Sequence, residues 1–264
     1  MVIFDWGYTT WLLVVSLFWV IAERLRPERR AQPVLRPQFG NDLFYLAVNG
    51  VRYGALLAWL GWLPKLADEA PSRLSFLPAQ GWLDGRQFIV QVLVFLLLSD
   101  FLQWCIHNLL HRVPFLWQFH KVHHSIHRMD WIGSFRFHWM EHVVYGSLSY
   151  IPVVVLLGGD GPPLLCAAVF GIFWGHFNHA NIRLDLGRAG YVFNSARMHL
   201  WHHDASDEGG TAKNFGIVFS CWDWIFGTAY WPRDREPERI GYPGDEEMPR
   251  DVLRQELFPL FKRH

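Results

Sequence analysis

Long segments almost free of charge constrain this chain more than any other feature of its sequence. A hydrocarbon core about 30 Å thick takes roughly 20 mostly apolar helical residues to cross, and residues 87–106 meet that length with Asp100 as their only charge. Further apolar segments lie at 7–22, 43–64, 143–159 and 161–182. The sequence therefore predicts an all-α fold, a polytopic membrane helical bundle of about four to five membrane segments. A buried soluble bundle is the alternative.

The charged residues are divided unevenly along the chain. Of the 24 Lys+Arg and 24 Asp+Glu, half lie in residues 1–180 and half in the last 84. The net charge of zero offers no basic excess to neutralise phosphates, which argues against a nucleic-acid-binding protein. We expect three regions: N-terminal membrane helices at 1–86, a histidine-rich catalytic domain at 87–230, and a charged C-terminal cytoplasmic tail at 231–264.

The arginine distribution predicts the orientation in the membrane. Residues 23–36 hold five Arg and should stay in the cytoplasm, which places the N-terminus outside. From there the second segment runs outward and the third returns, which brings His107 and His111 to the cytoplasmic end of the third segment. The fourth and fifth segments form another outward and returning pair, so His176 and His179 lie on the same side. The predicted protein is an integral, multi-pass membrane protein whose histidines form a cytoplasmic helical cap.

Histidine is concentrated in the middle of the chain, where 13 of the 14 lie between His107 and His203. Ten of them form four groups with helical spacing: His107-x-x-x-His111, His120-x-x-His123-His124, His176-x-x-His179 and His199-x-x-His202-His203. Residues i, i+3 and i+4 share one face of a helix, so each group can direct its imidazoles to one point. A single pair is common by chance, whereas two H-x-x-H-H groups in one charge-poor chain indicate a ligand.

A metal explains this crowding, because it takes each imidazole as a neutral donor, whereas protonated histidines would repel. Ten donors exceed the three or four of a zinc site and fit two metals at about five each. Ligand type leaves Zn, Cu, Fe and Ni open, and a redox pair of irons suits a membrane enzyme that attacks an inert substrate. The alternative is a membrane metal-binding protein of another class, a zinc hydrolase or a haem or metal transporter. Against these, H-E-x-x-H is absent, and haem gives no reason for the triplets.

The ordered motifs resemble those of the fatty acid hydroxylase and sterol desaturase superfamily, which are integral-membrane di-iron oxygenases with histidine boxes. The resemblance covers residues 99–216 and rests on HNLLH at 107–111, HKVHHS at 120–125, RFHWMEH at 136–142, HANIR at 179–183, HLWHH at 199–203 and NFG at 214–216. It implies two iron ions and O2 as co-substrate. It also implies hydroxylation or desaturation of an aliphatic C–H bond in a lipid or sterol-like substrate, by a monooxygenase-type oxidoreductase.

The resemblance also implies roles for single residues. The expected metal ligands are His107, His111, His120, His123, His124, His179, His199, His202 and His203, with His176 added because it shares the helical face of His179. His138 and Glu141 match positions expected to support the ligands, although Trp139 stands where the family usually has Pro. Asp204 and Asn214, with Asp100 and Asp130, are expected partners for the outer N–H groups of ligating histidines. His127 is expected outside the site, and His142 has no assigned place.

Electrons must come from a separate partner protein. The chain carries no G-x-G-x-x-G after a predicted strand and no cysteine cluster, so we expect it to hold neither a nicotinamide nor an iron–sulfur centre. A ferredoxin, a cytochrome or a reductase is therefore implied, beside the lipid substrate and the bilayer.

Overall fold

The computed structural model describes residues 7–60, 81–206 and 213–259, in which helices joined by irregular connectors form the regular structure. The longer helices are α1 (Gly7–Leu25), α2 (Phe39–Leu60), α3 (Phe88–Arg112), α4 (Pro114–His124), α5 (Trp139–Leu157) and α6 (Gly161–His179). The shorter ones are α7 (Ala196–His202), α8 (Cys221–Phe226) and α9 (Val252–Leu257), with 3₁₀ turns at Trp131–Phe135, Gly187–Tyr191 and Asp245–Glu247. Beyond two isolated bridges, Pro27 with Ile182 and Asp204 with Ile240, these ranges hold no β-structure. The predicted all-α class is confirmed.

The bundle is built around α6. Helices α1 and α3 both pack against α6, and α2 packs on α1 and on the 3₁₀ turn Trp131–Phe135. Aromatic side chains fill the α1–α6 contact, where Trp19 stacks on Phe177 with ring centroids 5.4 Å apart. Helix α5 is continuous but contains a π-helical turn at Gly146–Tyr150, between the α-helical parts Trp139–Tyr145 and Ile151–Leu157.

Hydrogen bonds fix which helix ends lie together. At one end, the Glu23 carboxylate of α1 accepts from the backbone N–H groups of Trp131 and Asn181 at 2.8 and 2.7 Å. At the other end, Gln91 of α3 donates to Asp160 at 2.8 Å. The C-terminal ends of α1, α3 and α6 and the N-terminal ends of α2 and α5 therefore meet at one end of the bundle, hereafter the histidine end.

Three of the described helices are long and apolar enough to cross a membrane: α1, α3 and α5. Their outward faces carry exposed aliphatic side chains, such as Leu13 and Leu17 of α1 and Ile89 and Leu93 of α3. The predicted count of about four to five segments is not confirmed. Helix α2 covers only part of predicted segment 43–64, whose residues 61–64 lie outside the described ranges, and α6 ends in polar residues that belong to the site.

A buried charge network closes the histidine end. The Arg36 guanidinium binds Asp130 through Nε at 2.8 Å and Asp42 through Nη2 at 2.6 Å, and Arg136 binds the other oxygen of Asp42. All four side chains are buried. Because removing one partner of a buried ion pair strands the other charge, the network fixes α2 against residues 130–136.

Candidate metal centre

Proline places the first two histidine groups beside each other. Helix α3 ends at Arg112, and Pro114 starts α4 at a position where its missing N–H costs nothing. The chain turns at Val113, so α4 folds back along α3 and the rings of His107 and His120 lie 5.0 Å apart. Helices α6 and α7 bring the remaining histidines to the same point, with His179 and His199 at 4.4 Å.

Nine of the ten predicted ligands form two adjoining groups. One holds His107, His111, His120, His124 and His202, and the other holds His123, His179, His199 and His203. Within each group every residue offers one ring nitrogen within 4.8 Å of the others. Each group draws on more than one helix, so the centre joins α3, α4, α6 and α7.

Backbone carbonyls hold the outer nitrogens of four of these rings. Nδ1 of His107 donates to Phe215 O at 2.8 Å, and Nδ1 of His123 donates to Arg136 O at 3.1 Å. His179 and His202 donate in the same way to Gly175 O at 3.0 Å and Lys213 O at 2.7 Å. A carbonyl oxygen can only accept, so Nδ1 carries the proton and Nε2 of each neutral ring is a bare acceptor.

Glu141 fixes a fifth ring. Its Oε2 accepts from Nδ1 of His120 at 2.8 Å, and both side chains are buried. The same carboxylate accepts from the backbone N–H of His138 through Oε1 at 3.3 Å, which completes a capping box at the start of α5. Glu141 therefore joins a helix cap to a ring in the five-histidine group.

Bare acceptors face each other inside both groups. Nε2 of His107 lies 3.1 Å from Nε2 of His120, and Nε2 of His123 lies 3.3 Å from Nε2 of His179. With Nδ1 protonated on all four rings, neither contact can be a hydrogen bond between neutral imidazoles. Two lone pairs at this distance repel unless a cation is shared between them.

Burial keeps the imidazoles neutral. Desolvation lowers the pKa of His120, His123 and His124 in α4 well below the ordinary value, and the neighbouring imidazoles lower it further. The pKa values of His199 and His203 are lowered for the same two reasons. Neutral rings are the form that binds metals, so the environment favours ligation over protonation.

The donor set fits metal ions. Both ring nitrogens of His111 and His124, Nδ1 of His199 and His203, and Nε2 of His202 are buried and have no hydrogen-bond partner among the described residues. Buried polar atoms without partners are costly, and a cation at each group would satisfy the inward-facing ones. Five and four imidazoles, with no thiolate in either group, suit a redox-active pair such as iron better than a closed zinc site.

Two carboxylates position the loop that carries two of these carbonyls, those of Lys213 and Phe215. Asp100 of α3 accepts from the backbone N–H groups of Val218 and Phe219 at 2.8 and 3.1 Å. Asp223 accepts from those of Phe215 and Gly216 at 2.8 and 2.9 Å. The loop is thus tied to α3 and α8. Asp100 contacts no ligand ring, contrary to prediction, and Asp223 was not predicted at all.

Several predicted residues lie elsewhere. His176 is outside both groups, because its Nε2 is 3.0 Å from Ser16 Oγ and its Nδ1 is 2.7 Å from Ser134 Oγ. His138 caps α5 through Nδ1, which accepts from Met140 N. Asp204 binds Lys213 at 2.8 Å. Asn214, the residue after Lys213, bonds to the backbone of Met198 and Tyr230.

The last predicted positions are also accounted for. Asp130 binds Arg36 instead of a ligand ring. His127 lies outside both groups and contacts Asp245 at 3.0 Å, as expected for a residue apart from the site. His142 belongs to neither group and lines the cavity described next.

An apolar cavity of about 160 Å³ runs from both groups into the bundle between α2, α3, α5 and α6. His107 and His120 border it from one group, and His123, His179 and His199 from the other. Its walls farther in are Phe95, Leu164 and Ile172. Gly171 also lines the cavity, and a Cβ atom added to it would have no other atom within 4 Å. The space beside this glycine is therefore open along α6.

The part of the chain that matches a known protein family contains the residues of the metal centre. The model of the family described as fatty acid hydroxylase matches residues 92–228, just over half of the chain. These residues include all nine histidines of the two groups.

Three curated relatives are similar to the chain. Ornithine lipid hydroxylase OlsE of Rhizobium tropici is 29% identical over 244 residues, which cover 91% of this chain and 71% of the relative. Alkylglycerol monooxygenase of Caenorhabditis elegans is 26% identical over 57% of this chain and 29% of its own length. Very-long-chain aldehyde decarbonylase GL1-10 of Oryza sativa subsp. japonica is 25% identical over 54% of this chain and 47% of its own. No solved structure matches.

Proposed function

We propose that this chain, which belongs to the fatty acid hydroxylase family, is a membrane oxidoreductase that hydroxylates an aliphatic C–H bond of a lipid with O2. The relatives named as an ornithine lipid hydroxylase and an alkylglycerol monooxygenase support a lipid substrate and insertion of oxygen. We assign hydroxylation as the reaction. Desaturation at the same position would give a different product, so product analysis distinguishes the two reactions.

The facing Nε2 acceptors carry this proposal. Two groups of neutral imidazoles, each with an acceptor pair at 3.1–3.3 Å, support one metal ion in each. We assign iron to both, held by His107, His111, His120, His124 and His202 and by His123, His179, His199 and His203. Bound iron supplies the reduction of O2 that hydroxylation needs. His176 is left out of the ligand set.

The residues around the groups bind and orient the substrate. Apolar walls at Phe95, Leu164 and Ile172 suit a hydrocarbon chain and exclude water from the reacting carbon. The rings cannot swing away from the substrate, because the carbonyls of Phe215, Arg136, Gly175 and Lys213 hold four of them from behind. We propose residues 87–230 as the catalytic domain, since the ligand rings, these carbonyls and these apolar walls all lie within them.

The overall reaction is R–H + O2 + 2 e⁻ + 2 H⁺ → R–OH + H2O. One oxygen atom enters the C–H bond and the other is reduced to water. The two electrons come from a separate donor protein, for which a ferredoxin, a cytochrome or a reductase has the required chemistry. We place the histidine end and the C-terminal tail on the cytoplasmic side, where the arginines of residues 23–36 favour it.

Metal analysis of the purified protein, followed by lipid analysis, tests the proposal. About two irons per chain are expected, with a lipid that gains 16 Da when O2 and a reductant are supplied. A product lighter by 2 Da would assign desaturation instead. Zinc alone, with no O2-dependent lipid product, would overturn the proposal and favour a hydrolase.

A further inference from the structure

A second cavity lies at the histidine end, just beyond the membrane helices. It holds about 260 Å³ and is lined by the connector after α1, by residues 180 and 182–186 after α6, by the start of α7 and by the tail at Trp231 and Glu236. Since α1 ends at Leu25 and the cavity begins at Glu28, its depth is that of lipid headgroups rather than of acyl chains. We refer to it as the polar cleft.

Charges of both signs line the polar cleft in equal number. The cations are Arg29, Arg183 and Arg197, and the anions are Glu28, Asp185 and Glu236. Arg29 and Glu236 are 3.9 Å apart, a distance at which the pair is loose enough to admit a ligand. A balanced lining favours neither a simple anion nor a simple cation, and it matches a ligand that carries both charges.

Three buried polar atoms of residues that line the polar cleft have no hydrogen-bond partner among the described residues. Nε of Arg197 and Nε1 of Trp231 are donors, and Oδ1 of Asn178 is an acceptor. Asn178 is 1% exposed, and its Nδ2 donates to Ile217 O at 2.7 Å, which fixes the amide so that Oδ1 remains the unsatisfied atom. Buried atoms of this kind point to a ligand that supplies both an acceptor and a donor.

The polar cleft and the apolar cavity border the same two residues. Asn178 and His179 line both, and His179 belongs to the four-histidine group. The four-histidine group therefore lies between the two spaces, where the junction of chain and headgroup would lie for a lipid that occupies both.

We propose that the polar cleft binds the zwitterionic headgroup of the lipid substrate, one that bears an ammonium and an acidic oxygen group. The donors of Arg197 and Trp231 bind the acidic oxygens, and Asn178 Oδ1 with the nearby carboxylates binds the ammonium. This proposal rests on the proposed function and specifies its substrate class. It also fixes the site of oxidation, which lies on the headgroup or on the first carbons beside it.

Nanodiscs that contain four lipids with identical acyl chains test the headgroup preference. Phosphatidylethanolamine and an amino-acid lipid with free ammonium and carboxylate groups carry both charges, phosphatidic acid is anionic, and diacylglycerol is neutral. Lipid retained by the purified full chain is measured by native mass spectrometry, which needs no turnover. At least a tenfold preference for one or both zwitterionic lipids is expected, and which of the two is retained identifies the acidic group. Equal retention of all four lipids would overturn the proposal.

Two variants connect the preference to the polar cleft. Arg197→Gln removes the charged donor and Trp231→Phe removes Nε1, and the loss of a hydrogen bond to a charged group lowers the retention ratio of zwitterionic to neutral lipid about tenfold. A ratio measured within one sample is insensitive to any unfolded fraction. Arg188→Gln, an exposed arginine at the same end that does not line the polar cleft, is the matched control. Equal ratios in Arg197→Gln and Arg188→Gln would refute the assignment.

Turnover separates this proposal from the proposed function. With iron, O2 and a reductant, fragment-ion spectra should place the added oxygen on the headgroup or the first carbons, and oxygen at the methyl end would overturn the inference. Oxidation of all four lipids at equal rates would remove the headgroup site and leave the hydroxylase in place. Selective retention of zwitterionic lipid without any oxidation would support the headgroup site and overturn the proposed hydroxylase.

Discussion

Replacing Glu141 by Gln should weaken metal binding about 30-fold. Oε2 of Glu141 accepts from His120 Nδ1 at 2.8 Å, and Oε1 accepts from His138 N. A glutamine keeps one acceptor, so the charged bond to His120 becomes a neutral one at a cost of about 1 kcal/mol. Its amide N–H₂ then faces the N–H of His138, and the side chain shifts to relieve this clash, which moves the remaining acceptor away from His120 and adds about 1 kcal/mol to the cost of orienting that ring. Together, about 2 kcal/mol corresponds to roughly 30-fold in affinity, within the range known for partners of metal ligands.

Chelator competition measures this effect directly. The purified full chain is loaded anaerobically with Fe(II) and titrated with a chromophoric chelator, and the midpoint for iron removal is compared between variants. Glu23→Gln is the matched control. Oε1 of Glu23 alone accepts from Trp131 N and Asn181 N, so a glutamine preserves both bonds, and Glu23 contacts no ligand ring in the described chain. Its midpoint should stay within about threefold of the unchanged protein.

Two results would refute the reasoning. An unchanged midpoint for Glu141→Gln would mean that the carboxylate does not orient a metal ligand. An equal shift in both variants would mean that any buried carboxylate at this end affects the metals through general stability, and that the contact with His120 has no special role.

The remaining predictions concern the ligand set and the cavity. His202→Ala should abolish turnover and leave membrane insertion intact; product analysis and carbonate extraction check this, and retained activity would exclude the last histidine group as ligands. His176→Gln should keep the metal content while His179→Gln lowers it, because serines occupy both ring nitrogens of His176; equal losses in elemental analysis would return His176 to the ligands. Gly171→Leu should block lipid oxidation while the metal content stays unchanged. The control Gly161→Leu, at the exposed start of α6, should keep lipid oxidation. Normal product formation in Gly171→Leu would exclude the cavity as the substrate path.

Sequence spacing predicted which histidines meet far better than it predicted what holds them. Helical periodicity groups residues on a face, and nine of the ten predicted ligands do come together. It could not separate His176 from His179, because the difference depends on Ser16, 160 residues away, and on Ser134. Only the packing of α1 against α6 brings those hydroxyls to the ring of His176.

The supports of the ligands were the least predictable part. Side-chain chemistry suggested Asp204 and Asn214 as partners, yet four outer nitrogens are held by backbone carbonyls, which every residue type possesses. Glu141 could be identified from the sequence because its acceptor belongs to a side chain, which the sequence specifies. The predicted number of membrane segments stays unconfirmed for a related reason: α2 carries Asp42, Asn49 and Arg52, whose partners at the histidine end are visible only in the fold.

The use of backbone carbonyls has a consequence for how this centre can change during evolution or in the laboratory. No point substitution at Phe215, Arg136, Gly175 or Lys213 deletes the oxygen that holds a ring, so these four orientations are insulated from side-chain variation. They respond only to mutations that move the main chain, such as loop insertions or, for the loop of Lys213 and Phe215, loss of the Asp100 and Asp223 tethers. Glu141 is the exception, since a single codon change there alters a ring directly. Reactivity should therefore be adjustable in small steps at that position, and elsewhere only by changes that shift the main chain of α6 or of the loops.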